Sequence, residues 1–131
     1  MFYNFVYSNC YDKHTLKHIS NVSKNSAAKR LNLFLRWMVR KDTHGVDFGL
    51  WQHIPTSALY IPLDVHVSET ARRLGLLHRS QNDWKAVVEL TENLRQFDEN
   101  DPVKYDYALF GMGLEKIKAK HQPFVNDIQI N

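Results

Sequence analysis

Asp64 is the carboxylate in this sequence whose position most suggests chemistry. It follows an extended apolar run that contains Tyr60, Ile61 and Leu63 and is bent by Pro62. This approach is expected to remove Asp64 from bulk water and to deliver it to the start of a helix. A carboxylate there is typical of an N-cap, whose oxygen accepts from the first free N–H groups. A helix N-terminus also favours the ionised form, which would suit an acid that stabilises a positive charge.

The residues after Asp64 predict the helix that would hold it. Val67, Ala71 and Leu74 recur at spacings of four and three, which is the pattern of one buried helical face. Gly75 follows as the expected C-terminal stop.

Two histidines and the single cysteine provide little for a metal site. His14 and His18 are four residues apart, so their imidazoles would share one face of a helix. A zinc site needs further ligands, and the nearby sequence does not provide them. Cys10 is the only cysteine and therefore cannot form an internal disulfide or an all-cysteine cluster site. We expect no metal and no cofactor.

The clearest helix is predicted over residues 27–40, which contain no glycine or proline and one β-branched residue, Val39. Its expected buried stripe consists of apolar residues at three- and four-residue steps. These are Ala27, Leu31, Phe34, Leu35 and Met38. Asn25 or Ser26 is the expected cap. Lys29, Arg36 and Arg40 lie along another face, with Arg30 and Lys41 nearby; this basic edge is either solvated or in contact with phosphates.

The remaining elements are also expected to be helical. A turn of helix is predicted at Pro55–Leu59, and Trp51 before it is expected to point into the core rather than to stack on a base. One helix is predicted to start at Ser80-Gln-Asn-Asp83, which resembles a capping box, and to end at about Phe97. Another helix is predicted over Val103–Gly111, after a cap formed by Asp101-Pro102. Gly111 and Gly113 allow either close packing or a helix end. The sequence therefore predicts one all-α domain over residues 1–131.

Composition places the chain among ordinary globular proteins. The 131 residues are 44% hydrophobic and 24% charged, with a formal net charge of +3, and no run of about 18 apolar residues predicts a membrane span. The apolar start at Met1 lacks a basic region and a cleavage site, so we expect a cytoplasmic protein. The first 41 residues contain eight Lys or Arg against one acid, and residues 81–101 contain six acids against two basic residues. A polyanionic partner would therefore contact the part of the protein formed by the first 41 residues.

Three segments together resemble a known group of proteins. They are Ser26-Ala-Ala-Lys-Arg-Leu-Asn-Leu-Phe-Leu-Arg-Trp-Met-Val-Arg40, Ile61-Pro-Leu-Asp-Val-His-Val67 and Asp101-Pro-Val-Lys-Tyr-Asp-Tyr-Ala-Leu-Phe-Gly-Met-Gly113. Over about residues 14–115 the chain resembles an uncharacterised bacterial family that is distantly related to the helix-hairpin-helix (HhH-GPD) DNA glycosylases. The nearest members of that superfamily are the archaeal 8-oxoguanine DNA glycosylases. The implied fold is part of the glycosylase helical bundle.

The resemblance implies a site and an activity. In that superfamily a helix entered from a hairpin carries a catalytic lysine, and an apolar-Pro-apolar-Asp run carries a catalytic aspartate. The matching positions are Lys29 and Asp64. The implied activity is excision of a damaged base, such as an oxidised purine, from DNA through a lysine Schiff base, with strand cleavage. Backbone phosphates would be held by basic residues of the first helix and the residues beside it, namely Lys24, Arg30, Arg36, Arg40 and Lys41.

The sequence departs from the superfamily pattern in three ways. The glycine-rich hairpin is replaced by Val22-Ser-Lys-Asn-Ser26, and 35 positions separate Lys29 from Asp64. Relatives have a substantial region before the hairpin, so the chain resembles the C-terminal half of their domain, and the aromatic residues 1–11 could mediate self-association. The alternative hypothesis is a non-catalytic DNA-binding or protein-interaction module, or an inactive fragment of the fold.

Overall fold

The structure is a computed structural model that describes residues 21–43 and 45–121. It contains four α-helices and three short 3₁₀ turns, and no strand occurs in these ranges beyond an isolated bridge between Lys41 and Phe48. The helices are α1 (Lys29–Val39), α2 (Val65–Arg73), α3 (Trp84–Arg95) and α4 (Asp106–His121). The 3₁₀ turns are Val22–Lys24, Thr56–Ala58 and Pro102–Tyr105. The predicted all-α class is confirmed.

The main core is built by α2, α3, the extended run before α2, the loop after α2 and one residue of α4. Its buried members are Ile61, Leu63, Val67, Ala71, Leu77, Ala86, Val87, Leu90, Leu94 and Leu109. The amide of Ile61 donates to the hydroxyl of the buried Thr91 at 3.2 Å, which satisfies a polar group inside this core. The apolar approach to Asp64 is buried, and the Asp64 side chain is largely removed from bulk water, as predicted.

Both predicted ends of α2 are confirmed. Asp64 has extended backbone angles, and its carboxylate accepts from the amide of Val67 at 2.8 Å. Gly75 has φ +74°, and the amides of Gly75 and Leu76 donate to Arg72 and Ala71, which forms a Schellman end. Leu74 departs from the prediction, since it is 48% exposed.

The α1 helix begins without the predicted side-chain cap. Ala28 occupies the N-cap position with φ 49°, and neither Asn25 nor Ser26 caps the first turn. Asn25 instead joins the preceding turn to α3, since its amide nitrogen donates to Asp83 at 2.9 Å. Asp83, rather than Ser80, is the cap of α3 and accepts from Ala86 at 3.0 Å.

The buried face of α1 differs from the predicted apolar stripe. Its buried residues are Asn32, Arg36 and Val39, whereas Phe34 is 41% exposed. The rest of the predicted stripe, Ala27, Leu31, Leu35 and Met38, is half-buried, and Ala27 and Leu35 pack against the two core clusters. The stripe is therefore shifted rather than absent, because Arg36 on the neighbouring face has buried carboxylate partners.

The last helix is longer than predicted. It continues through Gly111 and Gly113 to His121, so neither glycine ends it. A Cβ built on Gly113 would lie 3.0 Å from the Cβ of His66 and 3.2 Å from its carbonyl oxygen, so α4 passes very close to α2 there. Of the two predicted roles, close packing is the one observed at Gly113.

The segment between α1 and α2 lies over the end of α1. The amides of Phe48 and Trp51 donate to the carbonyls of Trp37 and Met38 at 2.7 and 2.8 Å. Trp51 is 37% exposed and packs edge-on against Phe34 at 5.6 Å, so its predicted core position was wrong. The helical turn predicted at Pro55–Leu59 is present as the 3₁₀ turn Thr56–Ala58.

None of the described helices has the length and apolar character needed to cross a membrane. Cys10, His14, His18 and the aromatic residues 1–11 lie outside the described residues.

Candidate functional site

The side chains of Lys29 and Asp64 meet although they belong to different helices. Lys29 is the first residue of α1 and Asp64 caps α2, and the Lys29 Nζ lies 3.8 Å from the Asp64 Oδ2. The Lys29 side chain is 52% exposed and that of Asp64 is 16% exposed. An amine and a carboxylate at this separation can act on the same bound group.

The pair lies at the edge of a cavity of about 280 Å³. The cavity is formed where the starts of α1, α2 and α4 converge. Its lining residues are Lys29, Leu33, Arg36, Pro62, Asp64, Asp106, Tyr107 and Phe110. Apolar and aromatic walls with a few polar groups are typical of a small-ligand site.

Arg36 connects α1 to the start of α4 inside this cavity. Its side chain is 5% exposed, and its Nε donates to the Oδ1 of Asp47 at 3.2 Å. Its two terminal nitrogens donate to Asp106 and, at 2.8 Å, to the hydroxyl of Tyr107. The guanidinium also lies 4.5 Å from the centre of the Tyr107 ring. Arg36 is therefore a fully engaged buried cation.

Asp106 is an unusual carboxyl group. Burial raises its pKa to about 6, against the opposing effect of Arg36, and the nearby charges of Asp64 and Asp47 raise it further. Although Arg36 favours the ionised form, it is shared with Asp47, so desolvation dominates. Asp106 thus changes protonation state in a pH range where ordinary aspartates are already ionised.

Arg40 continues the same network outside the cavity. Its Nε donates to Asp101 at 3.0 Å, and its Nη1 donates to Asp47 at 3.0 Å. Its side chain is only 15% exposed. Asp101, which the sequence predicted as a helix cap, makes no side-chain cap hydrogen bond at the Pro102–Tyr105 turn.

The predicted phosphate-binding set is therefore only partly at the surface. The guanidinium groups of Arg36 and Arg40 are bound to buried carboxylates of the chain itself, so the structure does not present them to a phosphate. Lys24, Arg30 and Lys41 are exposed, as a phosphate contact requires. Lys29 and Arg30 also line an open depression at the start of α1, together with the turn before it and Asn82.

Sequence reasoning missed Asp47, Asp106 and Tyr107. Asp106 and Tyr107 lie within the quoted segment 101–113 but carried no role, and Asp47 lies in a loop without periodicity. The available signal was the pair of arginines four apart, Arg36 and Arg40, on one face of the first helix. In the described part of the chain, no group of three or more His, Cys, Asp or Glu side chains could hold a metal ion.

Comparison with known proteins identifies the family without an activity. No curated protein sequence and no solved structure matches the chain. One family model, described as "protein of unknown function (DUF2400)", matches residues 1–115. The match covers most of the chain, and the expectation of an uncharacterised family is confirmed. The chain belongs to the DUF2400 family.

Proposed function

We propose that this protein is a DNA glycosylase with strand-cleaving lyase activity, acting on an oxidised purine. The observation that carries the proposal is the Lys29–Asp64 pair, 3.8 Å apart at the edge of a cavity of about 280 Å³. That volume lies near the lower end of ligand-pocket volumes, roughly 300–1,000 Å³, and suits an aromatic ring of base size.

The proposed reaction begins with a damaged nucleotide rotated out of the duplex into the cavity. Asp64 stabilises the positive charge that develops on the deoxyribose as the glycosidic bond breaks and the base leaves with the bonding electrons. The Lys29 ammonium gives a proton to the departing base, and its amine then forms a bond to C1′. The C1′–O4′ bond breaks with its electron pair on O4′, which takes a second proton from the bound nitrogen, and a Schiff base results. The Schiff base acidifies the C2′ hydrogen, and loss of this proton to solvent expels the 3′ phosphate with the C3′–O electron pair and breaks the strand.

The surroundings of Lys29 support this order of events. The amine is half exposed, so DNA can reach it, and Asp64 holds it beside the cavity. Leu33, Pro62 and Phe110 form apolar walls on which a base can pack. The exposed Lys24, Arg30 and Lys41 would hold the phosphate backbone.

Borohydride trapping tests the proposal directly. A duplex that contains 8-oxoguanine, or an abasic site made from uracil, is incubated with the protein and sodium borohydride, which reduces a Schiff base to a stable bond. We expect a covalent protein–DNA adduct that Lys29→Ala abolishes and that Lys85→Ala leaves intact. Lys85 is a suitable control because it is an exposed lysine on α3, away from the cavity. An adduct that persists in Lys29→Ala contradicts the proposal.

A non-catalytic DNA-binding module is the second candidate. It is favoured by one observation, that Lys29 is already in an ion pair with Asp64 and could serve only to fix α1 against α2. Salt-dependent DNA binding without any trapped adduct would support this alternative.

A further inference from the structure

Cations in the described part of the chain fall into two groups. One group forms ion pairs with carboxylates and consists of Lys29, Arg36, Arg40, Arg79, Arg95 and Lys104. The other group forms none with a described residue and consists of Lys24, Arg30, Lys41, Arg72, Arg73, Lys85, Lys116, Lys118 and Lys120. Three exposed members of this second group, Arg73, Lys116 and Lys120, line one shallow cleft of about 50 Å³ between the ends of α2 and α4, and we call them the distal cluster.

The distal cluster has a net positive charge. Glu69 is the single carboxylate in the lining of the cleft, beside Thr70, Gly113 and Ile117. Lysine and arginine near a helix C-terminus are favoured by the helix dipole. That effect acts on each helix separately, however, and does not require cations from two helices to converge on one cleft.

The cleft and the candidate site lie along one face of α4. Phe110 lines the cavity, and Gly113, Lys116 and Lys120 follow it at steps of three and four residues and line the cleft. Residues at this spacing project from one side of a helix. The cleft therefore lies farther along α4 on the side that borders the cavity.

The length of α2 sets the spacing between the cavity and the distal cluster. Asp64 precedes α2 and Arg73 is its last residue, so at 1.5 Å per residue they are about 13 Å apart along the helix. For B-form DNA whose axis runs along α2, one strand carries a phosphate every 3.4 Å of axis, so this distance corresponds to about four nucleotides.

We propose that the distal cluster binds phosphates of the DNA strand about four nucleotides from the nucleotide that enters the cavity. This inference rests on the proposed function, because it takes the Lys29–Asp64 pair as the reacting centre. It adds a second cationic contact surface, separate from Lys24 and Arg30 at the start of α1. A strand held at both surfaces would place the reacting nucleotide over the cavity.

The test compares two double variants for binding to a duplex with a tetrahydrofuran abasic-site analogue, which binds without being cleaved. Lys116→Ala/Lys120→Ala removes two charges of the distal cluster. Lys85→Ala/Lys118→Ala removes two charges elsewhere, and neither of its residues lines the cleft. Affinity is measured by fluorescence anisotropy over a range of salt concentrations.

We expect the first variant to flatten the slope of log affinity against log salt by about 2, since each phosphate contact contributes about 0.9. The control should change it by much less. The difference should disappear when the duplex is trimmed to about two nucleotides on one side of the abasic site, because the distal phosphates are then absent. An unchanged slope, an equal change in the control, or a difference that survives trimming of either side overturns the inference.

Trapping separates the two proposals. If Lys116→Ala/Lys120→Ala retains an adduct through Lys29 while its salt slope matches the wild-type slope, only the distal contact fails. If the wild-type protein neither binds DNA nor gives an adduct, both proposals fail.

Discussion

Asp64 shows how one side chain can serve structure and chemistry together. Its Oδ1 accepts from the amide of Val67 and caps α2, while its Oδ2 faces the Lys29 amine. Because the cap uses one oxygen, the other remains directed at the cavity edge. Capping and charge stabilisation can therefore be separated by substitution.

Substitution of Asp64 should separate these two roles. Asp64→Ala should lower the free energy of unfolding by about 1 kcal/mol through loss of the cap, whereas Asp64→Asn should lower it by only a few tenths, since asparagine also caps. Both variants should lose most borohydride trapping, since both remove the negative charge. Urea unfolding and trapping on the same preparations check this. Full trapping by Asp64→Asn would show that the charge is dispensable.

At the scale of single residues, the sequence predicted those features that depend only on neighbouring residues, such as the two ends of a helix. The cap at Asp64 and the end at Gly75 follow from neighbouring residues alone, and both are confirmed. The buried position of Arg36 depends on Asp106, which is 70 residues away in sequence. Helical periodicity cannot detect a partner at that distance, so Arg36 was predicted at the surface.

At the scale of elements, α4 shows the limits of pattern recognition. Apolar residues occur all round its first half, and Tyr107, Phe110, Met112 and Leu114 are each between 36% and 42% exposed. Such a helix has no distinct apolar stripe by which its register could be predicted. The sequence therefore predicted that the helix ends at Gly111. In the structure α4 packs against α2 and continues past both glycines to His121.

The two glycines of α4 provide a matched pair for testing that packing. A Cβ on Gly111 meets nothing within 4 Å, whereas one on Gly113 meets His66 at 3.0 Å. Gly111→Ala should therefore stabilise the protein by about 0.5–1 kcal/mol, the usual gain of alanine over glycine within a helix. Gly113→Ala should lose that gain and lower the melting temperature relative to Gly111→Ala. Equal melting temperatures would show that α2 and α4 can separate without cost.

At the scale of the whole molecule, one ionic network joins distant parts of the chain. Arg36 and Arg40 bind the carboxylates of Asp47, Asp101 and Asp106, and these come from a loop and from the two ends of the Pro102–Tyr105 turn. Removing one member of a buried network leaves an unpaired charge. The network therefore fixes the position of α1, and through it the position of Lys29.

The raised pKa of Asp106 makes stability depend on pH. Because the pKa of Asp106 is about 6 in the folded protein, against 3.8 for an ordinary aspartate, the protonated form is favoured by folding. The raised pKa therefore contributes to the free energy of unfolding in full below about pH 4, and this contribution is lost as the pH rises through about 6. The loss amounts to up to about 3 kcal/mol.

Asp106→Asn removes this titration while keeping the size of the side chain. The free energy of unfolding of the wild-type protein, relative to that of Asp106→Asn, should fall between pH 4 and pH 7. Urea unfolding of both proteins at several pH values measures the difference, in which the titration of other groups cancels. Parallel curves would show that Asp106 is ionised throughout this range.

The attachment of α1 bears on the order in which the molecule opens. The main core contains no buried residue of α1, and the one buried apolar residue of this helix, Val39, packs with Leu59 and Val103 in a smaller cluster. The contacts of Arg36 with Asp106 and of Arg40 with Asp101 span 70 and 61 residues, and contacts of such long range carry a loop-closure cost. We therefore expect α1 to detach while the main core stays folded, as in sub-global opening. The Lys29–Asp64 pair then exists only in the fraction of molecules in which α1 is docked.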